Sequence, residues 1–109
     1  MKIAIPVNEK NDNPHISNIF GRSKYFLIHN TDENLTTFIE NEGIDAQGGA
    51  GIKAAQNIID IKVNVLIANQ LGENAIEVLN NSNILLFKPK NEFALENISK
   101  LLNNELEKY

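Results

Sequence analysis

Cysteine is absent from this 109-residue chain. That excludes disulfides, thiol nucleophiles and thiolate ligation of iron–sulfur clusters. Histidine occurs only as His15 and His29, too few to close a zinc site unaided. Long apolar runs are missing, and none approaches the roughly 20 residues that span a bilayer. The start "MKIAIPVNE" is too short for a signal peptide and carries no small-residue cleavage site. The expected location is therefore the cytoplasm, with no membrane contact. The net charge is −4, which gives no electrostatic basis for binding nucleic acid. Arginine is nearly absent as well: Arg22 stands alone in a chain that otherwise uses lysine.

What is present reads as one α/β domain over residues 1–109. "KIAIPV" (Lys2–Val7) is a short apolar run, consistent with a buried strand. Pro6 cannot donate to a ladder, which places it towards the strand's end. Asn8–Ser23 is polar, contains Pro14 and Gly21, and predicts a long loop. "KYFLIHN" (Lys24–Asn30) and "LTTFIENE" (Leu35–Glu42) flank the turn-forming "TDEN" and predict a hairpin. From Gly49 the period turns helical, with Ile52, Ala55, Ile58 and Ile59 on one face. A strand follows at Val63–Ala68, then a short helix "ENAIEVLNN" with Ala75, Ile76 and Leu79 inward, then a strand at Asn83–Phe87. Asn91 is placed to cap a last helix, whose stripe is Leu95, Ile98, Leu102 and Leu106.

Strands alternating with helices make parallel neighbours through crossovers, while a hairpin adds an antiparallel strand. The expected result is a five-stranded mixed sheet in the order 3-2-1-4-5, strand 2 antiparallel, with helices on both faces. A topological switch then falls beside the carboxyl end of the first strand, where such sheets bind ligands.

The stretch "DAQGGAGIKAAQ" (Asp45–Gln56) invites a phosphate-binding reading. Gly49-Ala50-Gly51-Ile52-Lys53-Ala54 formally fits G-x-G-x-x-[GA], but no strand runs directly into the glycines. The acidic residue required at the end of the next strand is also missing, since Asn69 stands there. No G-K-[ST] follows either, so a P-loop is excluded. The first strand lacks the carboxylates of a two-metal nuclease, and no nucleophile elbow marks a hydrolase. Two readings of the glycines remain open. They let the backbone approach an anion at a helix N-terminus, or they let the helix start close against its neighbours.

"ISNIFGRSKYFLIHN", "GGAGIKAAQNII" and "VLIANQLGENAIEVL", in that order, resemble the dinitrogenase iron–molybdenum cofactor biosynthesis family, the small nitrogenase accessory proteins. The resemblance covers nearly the whole chain. It implies a ribonuclease-H-like fold and a non-catalytic carrier of an anionic iron–sulfur or iron–molybdenum-type cluster or precursor. It also implies metallocluster assembly or acceptor proteins as partners, in a monomer or weak homo-oligomer. Phe20, Gly21 and Arg22 match the family's F-G-R. Gly49, Ala50 and Gly51 match its glycine stretch, and Gly72, Asn74 and Ala75 match its G-P-N-A turn with Glu73 in place of proline. Where relatives carry histidine, this chain has Ile19 before F-G-R, and Ala46 and Gln47 before the glycines. His15 is then the candidate metal ligand, and the remaining candidate pocket is Arg22, the N–H groups of Gly49–Gly51, Asn8, Asn69 and Asn74. The alternative function is a regulatory or interaction domain of the same fold that binds no cluster.

Overall fold

The computed structural model describes residues 1–109. Its strands are β1 (Lys2–Val7), β2 (Tyr25–Asn30), β3 (Leu35–Glu40), β4 (Val65–Ile67) and β5 (Leu85–Phe87), and its helices are α1 (Ala50–Asp60), α2 (Glu73–Asn81) and α3 (Ala94–Leu102). They form one mixed sheet in the order β3-β2-β1-β4-β5. β1 is central, antiparallel to β2 and parallel to β4, as the change from hairpin to alternation predicts. Pro6 lies inside β1, opposite Phe26. Its carbonyl accepts the Ser17 N–H at 2.8 Å. A strand residue's N–H and C=O share one edge, so proline's missing donor falls where the 15–17 segment, rather than a ladder strand, lies alongside.

Burial alternates along the strands because successive side chains point to opposite faces. On one face Ala4, Phe26, Ile28 and Leu66 pack under α1 and α2, against Ala54, Ala55, Ile58, Ala75 and Leu79. On the other, Ile3, Ile5, Val7, Leu27, Val65 and Ile67 pack under α3, against Ala94, Ile98 and Leu101. The last residues also cover the β5 edge: Lys88 donates to the Glu107 carbonyl and Tyr109 to that of Leu86, both at 2.9 Å.

Several local expectations need correction. β3 stops at Glu40, and β4 and β5 are three residues each. Ile52 is exposed, because the first turn of α1 faces a cleft and only the following turns meet the sheet. Asn91 does not cap α3; Phe93 occupies that position, and Asn91 Oδ1 accepts the Phe93 N–H at 2.9 Å. The first N–H groups of α3 are taken from a distance, by the Pro14 carbonyl at 2.9 Å and by Asn13 Oδ1 at 3.0 Å. At the other end Asn104 adopts φ 59°. Glu105 then donates back to the Lys100 carbonyl at 2.8 Å, a Schellman closure. The chain turns there, so Leu101 and Leu106 are buried and Leu102 is left in solvent.

Candidate functional site

The Phe20–Arg22 segment is a single 3-10 turn that carries Phe20 into the α1/α2 core, where its ring meets Phe26 at a centroid distance of 5.5 Å. Gly21 then lies flat on the start of α1. A Cβ built there would stand 2.9 Å from the Gly51 nitrogen and 3.1 Å from the Ala50 carbonyl carbon. Gly51 in turn faces α2, where its absent Cβ would meet that of Ala75 at 3.5 Å. Gly49 precedes α1 with φ 67°, a left-handed conformation that costs a side-chain-bearing residue about 1–2 kcal/mol.

These approaches leave a bipartite cleft. One compartment, about 400 Å³, is lined by Ile19, Phe20, Gly21, Arg22, Ala50, Gly51, Gln70, Leu71 and Gly72. The other, about 390 Å³, is lined by Gly49, Ala50, Gly51, Ile52, Gly72, Glu73, Asn74 and Ala75. They share Ala50, Gly51 and Gly72. Neither α1 nor α2 has a side-chain cap at its start. The N–H groups of Ala50, Gly51 and Ile52, and of Glu73, Asn74 and Ala75, therefore have no protein acceptor. Both helix N-termini open on the same cleft, and each carries a partial positive charge.

Arg22 is the cleft's only cationic side chain and Glu73 its only carboxylate. Neither belongs to an ion pair: the chain's three pairs are Met1–Asp32, His15–Glu9 and Lys100–Glu105. Arg22 Nη1 donates to the Ile44 carbonyl at 2.7 Å, which leaves its other N–H groups free.

Eight residues expected from the sequence thus line the cleft: Phe20, Gly21, Arg22, Gly49, Ala50, Gly51, Gly72 and Asn74. Asn69 does not. It stands just outside, with Nδ2 donating to the Ser17 carbonyl at 3.4 Å. Asn8 is also elsewhere, its Oδ1 accepting the Lys24 N–H at 3.1 Å. His15 lies on the α3 side of the sheet, bridged to Phe93 with ring centroids 4.4 Å apart. Its Nδ1 is 3.2 Å from Glu9 Oε1. That hydrogen bond, together with the His15 N–H, holds the Glu9 carboxyl below its ordinary pKa. His29 bonds Thr36 in the hairpin. No group of three His, Asp or Glu side chains is disposed to hold a metal ion. Gln70 and Leu71 lie in the 69–74 segment expected at the pocket, and Ile19 stands where relatives carry histidine; Ile52, expected on the core face, is the lining residue that sequence reasoning missed.

The sequence profile described as dinitrogenase iron–molybdenum cofactor matches residues 1–104. The chain belongs to this family. It is 30% identical to the protein MJ0580 of Methanocaldococcus jannaschii, over 100% of this chain and 92% of that one. A Thermotoga protein provisionally assigned as NifB has a solved structure that superposes with a TM-score of 0.84 at 30% identity, covering 98% of this chain and 91% of that one. The apo orange protein of Desulfovibrio gigas superposes with a TM-score of 0.92, covering 99% and 92%. At 19% identity it speaks for the fold alone. Family membership connects the chain with the handling of the iron–molybdenum cofactor. No helix is long and apolar enough to cross a membrane.

Proposed function

We propose that this single domain is a non-catalytic carrier that takes an anionic metal–sulfur cluster, or a precursor of one, as cargo in its bipartite cleft. The observation that carries the reading is the pair of uncapped helix N-termini facing one cleft beside Arg22. Backbone N–H groups and a guanidinium are donors suited to the sulfide or oxide shell of such an anion. They are unsuited to the metals themselves, so the cargo is held by its outer shell. A charged hydrogen bond contributes about 1.5–3 kcal/mol, and an exposed helix terminus about 0.3–1 kcal/mol. Glu73 opposes the anion. The hold is accordingly weak and salt-sensitive, which suits transfer to an assembly or acceptor protein.

The absence of a ligating side-chain cluster favours a second reading, a regulatory or interaction domain that binds no cluster. Anaerobic incubation with extracted iron–molybdenum cofactor, followed by gel filtration at low and high salt and metal counting, separates the two. The carrier reading expects metal to co-elute at low salt, to be lost at high salt, and to fall with Arg22→Ala. Absence of co-eluting metal at low salt refutes it. Stoichiometric metal that survives high salt and is lost with His15→Ala would make His15 a ligand instead.

A further inference from the structure

Asn41 has no place in the cleft lining, yet it is 2% exposed, just past the end of β3. A buried amide is retained where its hydrogen bonds are all satisfied, and here each of them runs to one of two backbone segments. Nδ2 donates to the Gly21 carbonyl at 3.2 Å and the Ser23 carbonyl at 2.9 Å, the carbonyls of the two residues that flank Arg22. Oδ1 accepts the Gly43 N–H at 2.9 Å. The Asn41 carbonyl accepts the Ile44 N–H at 3.3 Å, and its own N–H donates to the Lys24 carbonyl at 3.0 Å. Arg22 spans the same two segments, because its Nη1 reaches the Ile44 carbonyl at 2.7 Å.

Asn41 therefore holds both ends of the lever. It fixes the backbone from which the arginine projects and the turn whose carbonyl receives the guanidinium. An exposed arginine samples many rotamers, and one hydrogen bond to a loop carbonyl orders it only while that loop stays in register. We propose that Asn41 is the positioning residue for Arg22, holding the cleft's single cation against the Ile44 carbonyl at the wall of the compartment it lines.

The structural part of this inference is independent of the carrier reading; only its consequence for binding rests on that reading. Arg22 is the sole arginine, so its guanidinium N–H signals in 1H–15N spectra need no assignment. In the wild type these should be resolved and protected from exchange. Asn41→Asp keeps the shape and the acceptor but removes both donations, and Asn41→Ala removes all three side-chain bonds. Either should merge the Arg22 signals towards solvent-averaged values. Asn57→Ala is the control: Asn57 Oδ1 accepts the Glu42 N–H at 2.9 Å, so it fastens the same loop without touching Gly21, Ser23 or Ile44. It should lower stability and leave the Arg22 signals alone. Should Asn41→Ala not fold, Asn41→Asp or the wild-type exchange rates decide. A folded Asn41 variant with unchanged Arg22 signals, an unprotected wild-type guanidinium, or equal loss in Asn57→Ala overturns the proposal.

The binding arm uses tetrathiomolybdate, a compact molybdenum–sulfur dianion, in equilibrium dialysis. Asn41→Asp and Arg22→Ala should each weaken uptake about ten-fold, the loss of one charge-assisted contact. The double variant should be no weaker than Arg22→Ala. Additive losses overturn the positioning role. If the wild type takes up no probe, the carrier reading fails for this anion, while the spectra still judge Asn41.

Discussion

Replacing Gly21 by alanine tests the close approach on which the cleft depends. The added Cβ would lie 2.9 Å from the Gly51 nitrogen and 3.1 Å from both the Ala50 carbonyl carbon and the Gly51 Cα. All three are backbone atoms in the first turn of α1, so no side-chain rotation relieves the overlap. Opening the shortest contact to an ordinary 3.4 Å requires a displacement of about 0.5 Å. The turn cannot supply it freely, since Phe20 is locked in the core and Asn41 grips Gly21 from behind. Overpacking of this kind costs about 1–3 kcal/mol. At about 5 °C per kcal/mol for a domain near this size, Tm should fall by about 5–15 °C in calorimetry. Gly48→Ala is the matched control, because its Cβ meets nothing within 4 Å; its change should stay within about 0.5 kcal/mol. Equal stability of Gly21→Ala and Gly48→Ala would refute the argument that the F-G-R turn is seated directly on α1.

Leu79→Ala should cost about 2–5 kcal/mol in urea unfolding, since Leu79 is fully buried between α2 and the sheet, whereas Leu102→Ala, at 51% exposure, should cost almost nothing. Tyr109→Phe removes the hydroxyl that accepts the Leu71 N–H at 2.8 Å; a loss of about 0.5–1.5 kcal/mol and faster exchange of the Leu71 amide are expected, and an unchanged Leu71 amide would show that this tie is not formed in solution. Glu9 titrates below its ordinary range because it accepts hydrogen bonds from the His15 side chain and backbone. A depressed carboxyl pKa stabilises the fold above the unfolded-state value, and that contribution is lost as pH falls through the folded-state value. His15→Ala should raise the Glu9 midpoint, followed by carboxyl carbon shifts, and an unmoved midpoint would remove the pairing.

Element order and strand sequence were legible because they follow from periodicities that packing enforces. β1 reads as central from its apolar run, and Ile3, Ile5 and Val7 divide from Ala4 between the two faces as the pleat requires. Helix ends were less legible, since distant residues decide them. The start of α3 is completed by Asn13 and Pro14, some eighty residues away in the chain. Its end is set by one left-handed asparagine, Asn104, and with it the exchange of Leu101 for Leu102 in the core. At the site, polar type alone did not separate binding from scaffolding. Asn8 and Asn41 both serve backbone geometry, while the apolar Ile19 and Ile52 line the cleft.

The glycines of the stretch do different structural work at different residues. Gly49 supplies a left-handed turn ahead of α1, and its own Cβ would meet nothing. Gly51 and Gly21 supply proximity, and Gly48 neither. The helix starts close to its neighbours because Gly21 presents no side chain to the Ala50–Gly51 backbone and Gly51 presents none to Ala75 of α2. That same closeness brings the α1 N-terminus within one cleft of Arg22 and the α2 N-terminus. Tight packing and the proposed anion binding are therefore compatible at this motif. A side chain at position 21 would disturb the fold and the cleft together, whereas alanine at position 49 would strain the turn while leaving the approach of Gly21 to Gly51 intact. Comparing Gly21→Ala with Gly49→Ala separates the two. Both should lower Tm, Gly49→Ala by about 1–2 kcal/mol equivalent, but only Gly21→Ala should also disturb the Arg22 guanidinium signals. Equal disturbance by Gly49→Ala would mean that the geometry of α1's start, and not the seat of the F-G-R turn, governs the cation.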